Sequence, residues 1–176
     1  MAANGFIELL RLSKRGNTNY SNIDSHENIW SGVGFEILGQ YFVAPLGEVS
    51  EVIYPPLCTP IPNAQFWVKG LANIRGKLLS VTELASFITE QDVPSHDAQK
   101  VICILQNEHY VGLVVDRVLG IQHFQKNSFF SNNNELDEKI KLYCHGYFPR
   151  QNLKWNIFLN SKLLNDPRFL NASKYR

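Results

Sequence analysis

Between residues 30 and 159 the apolar positions recur in short runs with a period near two, and glycine, proline or asparagine separates one run from the next. That pattern leaves little room for long helices and demands strands joined by turns. Val33, Phe35 and Ile37 alternate with Gly34, Glu36 and Leu38. Gly39-Gln40 then fits a tight hairpin turn, with glycine supplying the positive φ. Tyr41 to Leu46 returns as a strand, in which Pro45 predicts an edge position or a bulge. Val49 to Ile53 is a further apolar run. Pro55, Pro56, Pro60 and Pro62 make the next segment an extended connection that cannot be helical. From Trp67 to Val81 a second hairpin is expected, turning at Arg75-Gly76. A third joins Val101–Leu105 to Tyr110–Val115 around Asn107-Glu108, and Val118–Phe124 and Trp155–Leu159 complete the strands. These elements suggest barrels or a sandwich rather than a parallel sheet.

Helical spacing is confined to short stretches. Phe6, Leu9 and Leu10 stand at i, i+3, i+4, ahead of a polar stretch from Gly16 to Asn28 that reads as a linker. Ser80 and Glu83 match the S-x-x-E capping box, with Leu84, Phe87 and Ile88 behind them at helical spacing. Glu90–Lys100 and Lys126–Asn134 are polar and read as loops. Ile140–Phe148 fits helix and strand equally, and Ser161–Leu164 opens a terminal turn. The chain divides into residues 1–29 (a helix and polar linker), 30–165 (the main domain) and 166–176 (a tail). With 176 residues, 44% of them hydrophobic, it can fold as one domain or as two small subdomains sharing a core. Neither a disulfide nor a metal staple is needed.

The sequence carries little that would do chemistry. Gly70–Leu78 (GLANIRGKL) has five residues between its glycines and Leu78 after Lys77, so it fails the phosphate-loop spacing and lacks the hydroxyl for magnesium. Gly32-Val33-Gly34 lacks the third glycine of a dinucleotide fingerprint, Ile37 standing there, and it opens a strand. His26, His96, His109, His123 and His145 are scattered. Cys144 and His145 are neighbours, which on a strand point to opposite faces. Cys58, Cys103 and Cys144 form no C-x-x-C, and Cys103 sits in an apolar run where a thiol is an inert small hydrophobe. Asp97, Asp116 and Glu108 select no acid–base pair. Neither catalysis, a metal nor a cofactor is expected. The formal charge of +1 is spread in both signs, and Lys14-Arg15 is the longest basic cluster, so nucleic acid is not an expected partner. The alternative to a protein-binding role is an SH3- or OB-like barrel that binds nucleic acid by stacking bases on aromatics. The amino terminus lacks the basic region of a signal peptide, and no apolar run is long enough to span a membrane. With no cysteine framework, a cytoplasmic setting is expected.

What remains is a hairpin suited to protein contacts. Gly70, Asn73, Arg75 and Gly76 surround a turn where small residues let another backbone approach. Arg75 is a forked donor for a carboxylate or a partner. The competing reading is turn chemistry with a solvated arginine.

A longer set of residues resembles a known family. Leu38-Gly39, Tyr41-x-x-x-Pro45, Val49-x-Glu51-Val52, Thr59-Pro60-x-Pro62 and Val68-Lys69-Gly70-x-x-Asn73-Ile74-Arg75-Gly76-x-Leu78-Leu79-x-Val81-x-Glu83-Leu84 look like the CheW family of chemotaxis coupling proteins. Gly112–Val118 (GLVVDRV) and Phe158-Leu159-Asn160-x-Lys162-Leu163-Leu164 follow in the family's order, so the likeness runs from about Trp30 to Leu164. Trp30–Phe35 (WSGVGF), Phe42–Pro45 (FVAP), Gly47–Val49 (GEV), Trp67–Gly70 (WVKG) and Gln122–Phe124 (QHF) bring it nearer to the members serving type IV pili and twitching motility. The resemblance implies a mainly β fold of two five-stranded SH3-like barrels with short helices. It also implies a non-enzymatic adaptor, joining the signalling tip of a methyl-accepting receptor to the regulatory domain of a CheA-type histidine kinase. Contact with the membrane would then be only indirect, through the receptor. In relatives a groove between the barrels takes the receptor tip, and the family's glutamate and arginine near it map onto Glu51 and Arg75. Val49 and Val52 are expected as apolar anchors there, beside Gly70, Asn73 and Gly76. The chain departs from the family at Ser80 (usually proline), Glu83 (usually aspartate) and Asn160 (commonly aspartate).

Overall fold

The computed structural model describes residues 28–106 and 109–174. The expected helix around Phe6–Leu10, its linker up to residue 27 and the turn at Asn107-Glu108 lie outside them. The described strands are β1 (Ile29–Ile37), β2 (Gln40–Pro45), β3 (Glu51–Ile53), β4 (Val68–Ile74), β5 (Lys77–Glu83), β6 (Lys100–Gln106), β7 (His109–Val115), β8 (Arg117–Gln125), β9 (Cys144–Arg150) and β10 (Leu153–Phe158). Four short helices accompany them: α1 (Leu84–Thr89), α2 (Glu138–Lys141), α3 (Asn160–Leu164) and α4 (Pro167–Leu170).

The strands form two five-stranded sheets, ordered β8-β1-β2-β10-β9 and β3-β6-β7-β5-β4. Neighbours are antiparallel except β2 with β10 and β5 with β7. The second sheet is one continuous stretch of chain, inserted between the two halves of the first. A single bridge from the segment after one outer strand to the other outer strand draws each sheet toward closure. Phe130, just beyond β8, bridges Tyr147 on β9, and Thr59, beyond β3, bridges Leu71 on β4. Closure of this kind satisfies the edge strands that would otherwise invite foreign pairing.

Alternation along the strands distributes side chains among three cores. Trp30, Val43, Phe124, Phe148, Trp155 and Ile157 fill the first barrel. Ala72, Leu79, Val81, Val101, Cys103 and Val114 fill the second. Phe35, Phe42, Ile102, Leu113 and Phe158, with α1, pack between the two sheets. Neighbours such as Phe42 and Val43 thus serve different cores, because both faces of β2 are buried. Gly112 is a glycine because a Cβ there would come within 2.7 Å of Val101 Cγ1 in the crowded second barrel.

Several local expectations are corrected. The first hairpin turns at Leu38-Gly39, with φ of 54° and 72°, one residue earlier than expected. Two successive positive φ values match the twist of the flanking strands. Leu38 tolerates its own because its amide donates to Asp116 Oδ2 at 2.7 Å. Pro45 is not on an edge strand, since β2 pairs on both sides; it lies past Val43, where pairing with β10 ends. Ser80 stays in β5, and the capping box does not form: Glu83 is the N-cap of α1 but makes no side-chain cap. Ile140–Phe148 splits into the end of α2 and the start of β9. Residues 166–174 pack down, with Phe169 edge-on to Phe87 at 5.3 Å and the Gln65 amide donating to the Ala172 carbonyl.

Candidate functional site

The second barrel carries a row of inward-facing residues across its strands. Val81 pairs with Gly112, Gly112 with Cys103, and Cys103 with Glu51. Tyr110 lies one step along the same face from Gly112, on the side toward the β4–β5 turn. That turn is Arg75-Gly76, with φ of 53° and 82°. An arginine in this conformation costs about 1–2 kcal/mol, and the Asn73 side chain offsets part of it by accepting the Gly76 amide at 2.8 Å.

Glu51 and Arg75, which the family resemblance singled out, form an ion pair. Arg75 Nη1 lies 3.3 Å from Glu51 Oε2, the arginine side chain 83% exposed and the glutamate 23%. Tyr110, which sequence reasoning missed, donates its hydroxyl to Glu51 Oε1 at 2.6 Å. Finding it from sequence would have required knowing that β3 pairs with β6, a contact between residues some fifty positions apart. Val52 follows Glu51 with its side chain outward, 40% exposed. Val49 leans on the core between the sheets. Asn73, Arg75, Gly76, Glu51 and Val52 therefore gather around one end of the barrel, with Val49 at the joint between barrels. Gly70 does different work. A Cβ there would sit 2.2 Å from the Thr59 carbonyl oxygen, so the backbone it admits is the chain's own.

The opposite mouth of the same barrel opens into a cavity of about 460 Å³ lined by Lys69, Glu83, Ser95, His96, Asp97 and Gln99. Glu83 is fully buried there. Gln99 donates to both of its oxygens, at 3.3 and 3.2 Å, and Lys69 Nζ lies 3.8 Å away. Burial raises the Glu83 pKa, opposed by the charge of Lys69. Lys69 also donates to Ser95 Oγ, and His96 pairs with Asp116 at 3.4 Å. The three thiols are not activated nucleophiles: burial pushes Cys58 up, Cys103 to about 11 and Cys144 to about 12. Among the described residues no three His, Cys, Asp or Glu side chains are grouped to hold a metal, and no helix is long and apolar enough to cross a membrane.

The arrangement is an exposed guanidinium beside a carboxylate that Tyr110 tethers, with an outward valine next to it. Comparison with known proteins agrees with this architecture. Residues 31–165 match the family model described as CheW-like domain. Protein PilI of Pseudomonas aeruginosa is 36% identical over 144 residues, which cover 82% of this chain and 80% of PilI. The chemotaxis protein CheW of Thermotoga maritima is 31% identical over 104 residues, 57% of this chain and 66% of that protein. Among solved structures, the scaffolding protein TtCheW from Thermoanaerobacter tengcongensis superposes with a TM-score of 0.65 at 19% identity, over 73% of this chain and 88% of that one. The two curled sheets, the inserted second barrel and these matches lead to one assignment: the chain belongs to the CheW-like family.

Proposed function

We propose that this protein is a cytoplasmic, non-enzymatic adaptor that couples a methyl-accepting receptor to a CheA-type histidine kinase in the chemosensory pathway governing type IV pili and twitching motility. The likeness to PilI, spread over 82% of the chain, carries this reading. The receptor tip, a helical hairpin, docks at the joint between the barrels. Arg75, Glu51 and Val52 face it, and the glycines and Asn73 hold the turn that presents them. The kinase regulatory domain pairs with a separate barrel face.

Co-purification with a receptor signalling-domain fragment and with a CheA-type kinase tests the proposal. The folded protein is expected to retain both. Arg75→Ala should weaken receptor capture about tenfold, as loss of a directional contact does. Its folding stability should change by no more than about 1 kcal/mol, since the arginine side chain is 83% exposed. A folded sample that binds neither partner overturns the reading.

A further inference from the structure

Glu51 has two carboxylate oxygens, and two different groups claim them. Tyr110 takes Oε1 at 2.6 Å, and Arg75 faces Oε2 at 3.3 Å. Left to the Glu51–Arg75 contact alone, so exposed an arginine would sample many rotamers, because exposed pairs hold long side chains weakly. Glu51 lies at the start of the three-residue strand β3, and its partly exposed side chain would keep more than one rotamer without a second contact. We infer that Tyr110 is a positioning residue: by fixing the Glu51 carboxylate it aims the Arg75 guanidinium outward as a pre-oriented donor for a carboxylate on the partner. The inference rests on the adaptor reading for its consequence in binding, and on geometry alone for the positioning.

Three observations support it. The tyrosine ring packs on the second barrel core, so its hydroxyl is anchored from beneath. Burial, first, and the neighbouring Glu51 raise the Tyr110 pKa far above the physiological range, so the hydroxyl keeps its proton and remains a donor. The backbone end of Arg75 is fixed independently by the Asn73–Gly76 hydrogen bond, leaving the tip as the part that needs aiming. Orienting a donor before binding removes part of the ordering cost that association otherwise carries.

Tyr110→Phe removes the hydroxyl and keeps the ring. Nitrogen–proton correlation spectra of the free protein would follow the Arg75 side-chain Nε–H, with Glu51→Gln supplying the position of a released guanidinium. In Tyr110→Phe the signal is expected to move at least about halfway toward that position. If it stays at the wild-type position while Glu51→Gln displaces it, or if neither variant displaces it, Tyr110 does not position the pair. Binding to the receptor fragment provides the second readout. Tyr110→Phe should weaken it about fivefold in the wild-type background and by less than about 1.5-fold in the Arg75→Ala background, the signature of coupled residues. Equal losses in both backgrounds overturn the inference. If the wild-type protein itself fails to bind the fragment, the adaptor reading fails, and the Arg75 signal alone decides the role of Tyr110.

Discussion

Gly70 and Arg75, five residues apart on one hairpin, face opposite tasks. Gly70 has a φ of 131° and no room for a side chain, because the Thr59 carbonyl carbon and oxygen would lie 2.8 and 2.2 Å from its Cβ. Both obstacles are backbone and are held by the Thr59–Leu71 hydrogen bonds at 2.8 and 2.9 Å. Gly70→Ala should therefore destabilise the fold by about 2–4 kcal/mol, combining backbone strain with overpacking, and urea denaturation would measure it. A loss below about 0.5 kcal/mol would mean that the segment around Thr59 yields freely. Arg75 by contrast stands in solvent and touches only Glu51 among the ion pairs of the described residues. The sequence marked both residues, since the motif and its turn are local. Which way each faces was not legible. Thr59 reaches Gly70 only after the proline-rich connection folds back, and that path leaves no period or spacing in the chain.

At the scale of elements, the joint between the sheets depends on the 3-10 turn Leu46–Glu48, which packs against β1 and β6. Its Glu48 carboxylate reaches across to α3, where Oε2 accepts the Asn160 amide at 3.1 Å. Burial pushes the Glu48 carboxyl from 4.5 up to about 7, and hydrogen bonds from Asn160 only partly counter that. The folded protein therefore holds this proton more tightly than the unfolded chain. Its contribution to stability is full below about pH 4.5, is lost as pH rises toward about 7, and is absent above. Glu48→Gln keeps an oxygen for the Asn160 amide but cannot ionise. Its stability relative to wild type should grow between pH 5 and pH 8, by about 1–3 kcal/mol. Denaturation curves at the two pH values would show this, and an unchanged gap would place the titration elsewhere. An aspartate at position 160 would set a second carboxylate beside half-buried Glu48 and repel it, which gives the amide here a physical reason. The contact of Glu48 with Asn160 was not readable from the Leu46–Glu48 residues, because the two lie 112 positions apart.

The whole molecule is held by its middle. Phe35 and Phe42 of the first sheet share one core with Ile102, Ile104 and Leu113 of the second. The number and type of most strands could be read from alternation and turn residues. The division of alternate side chains among three cores could not, because a strand buried on both faces loses the polar half of its period. The shared core has a thermodynamic consequence: neither barrel can lose it alone without exposing the apolar face of the other. Unfolding should then be a single cooperative transition, although each barrel has a core of its own. The first barrel contains Trp30 and Trp155, and of the three tryptophans only Trp67 lies outside it, against the central core. In a Trp67→Phe background, fluorescence reports the first barrel. Ile102→Ala, on the second sheet, removes about 2–5 kcal/mol of packing at the centre. Fluorescence from the first barrel and backbone circular dichroism should move to the same lower midpoint, with one transition each. If the fluorescence midpoint held still while the dichroism curve split in two, the barrels would be independent units. The packing of Phe35 and Phe42 on Ile102 and Leu113 would then be a hinge between two separately folding halves, not a seam that unites them.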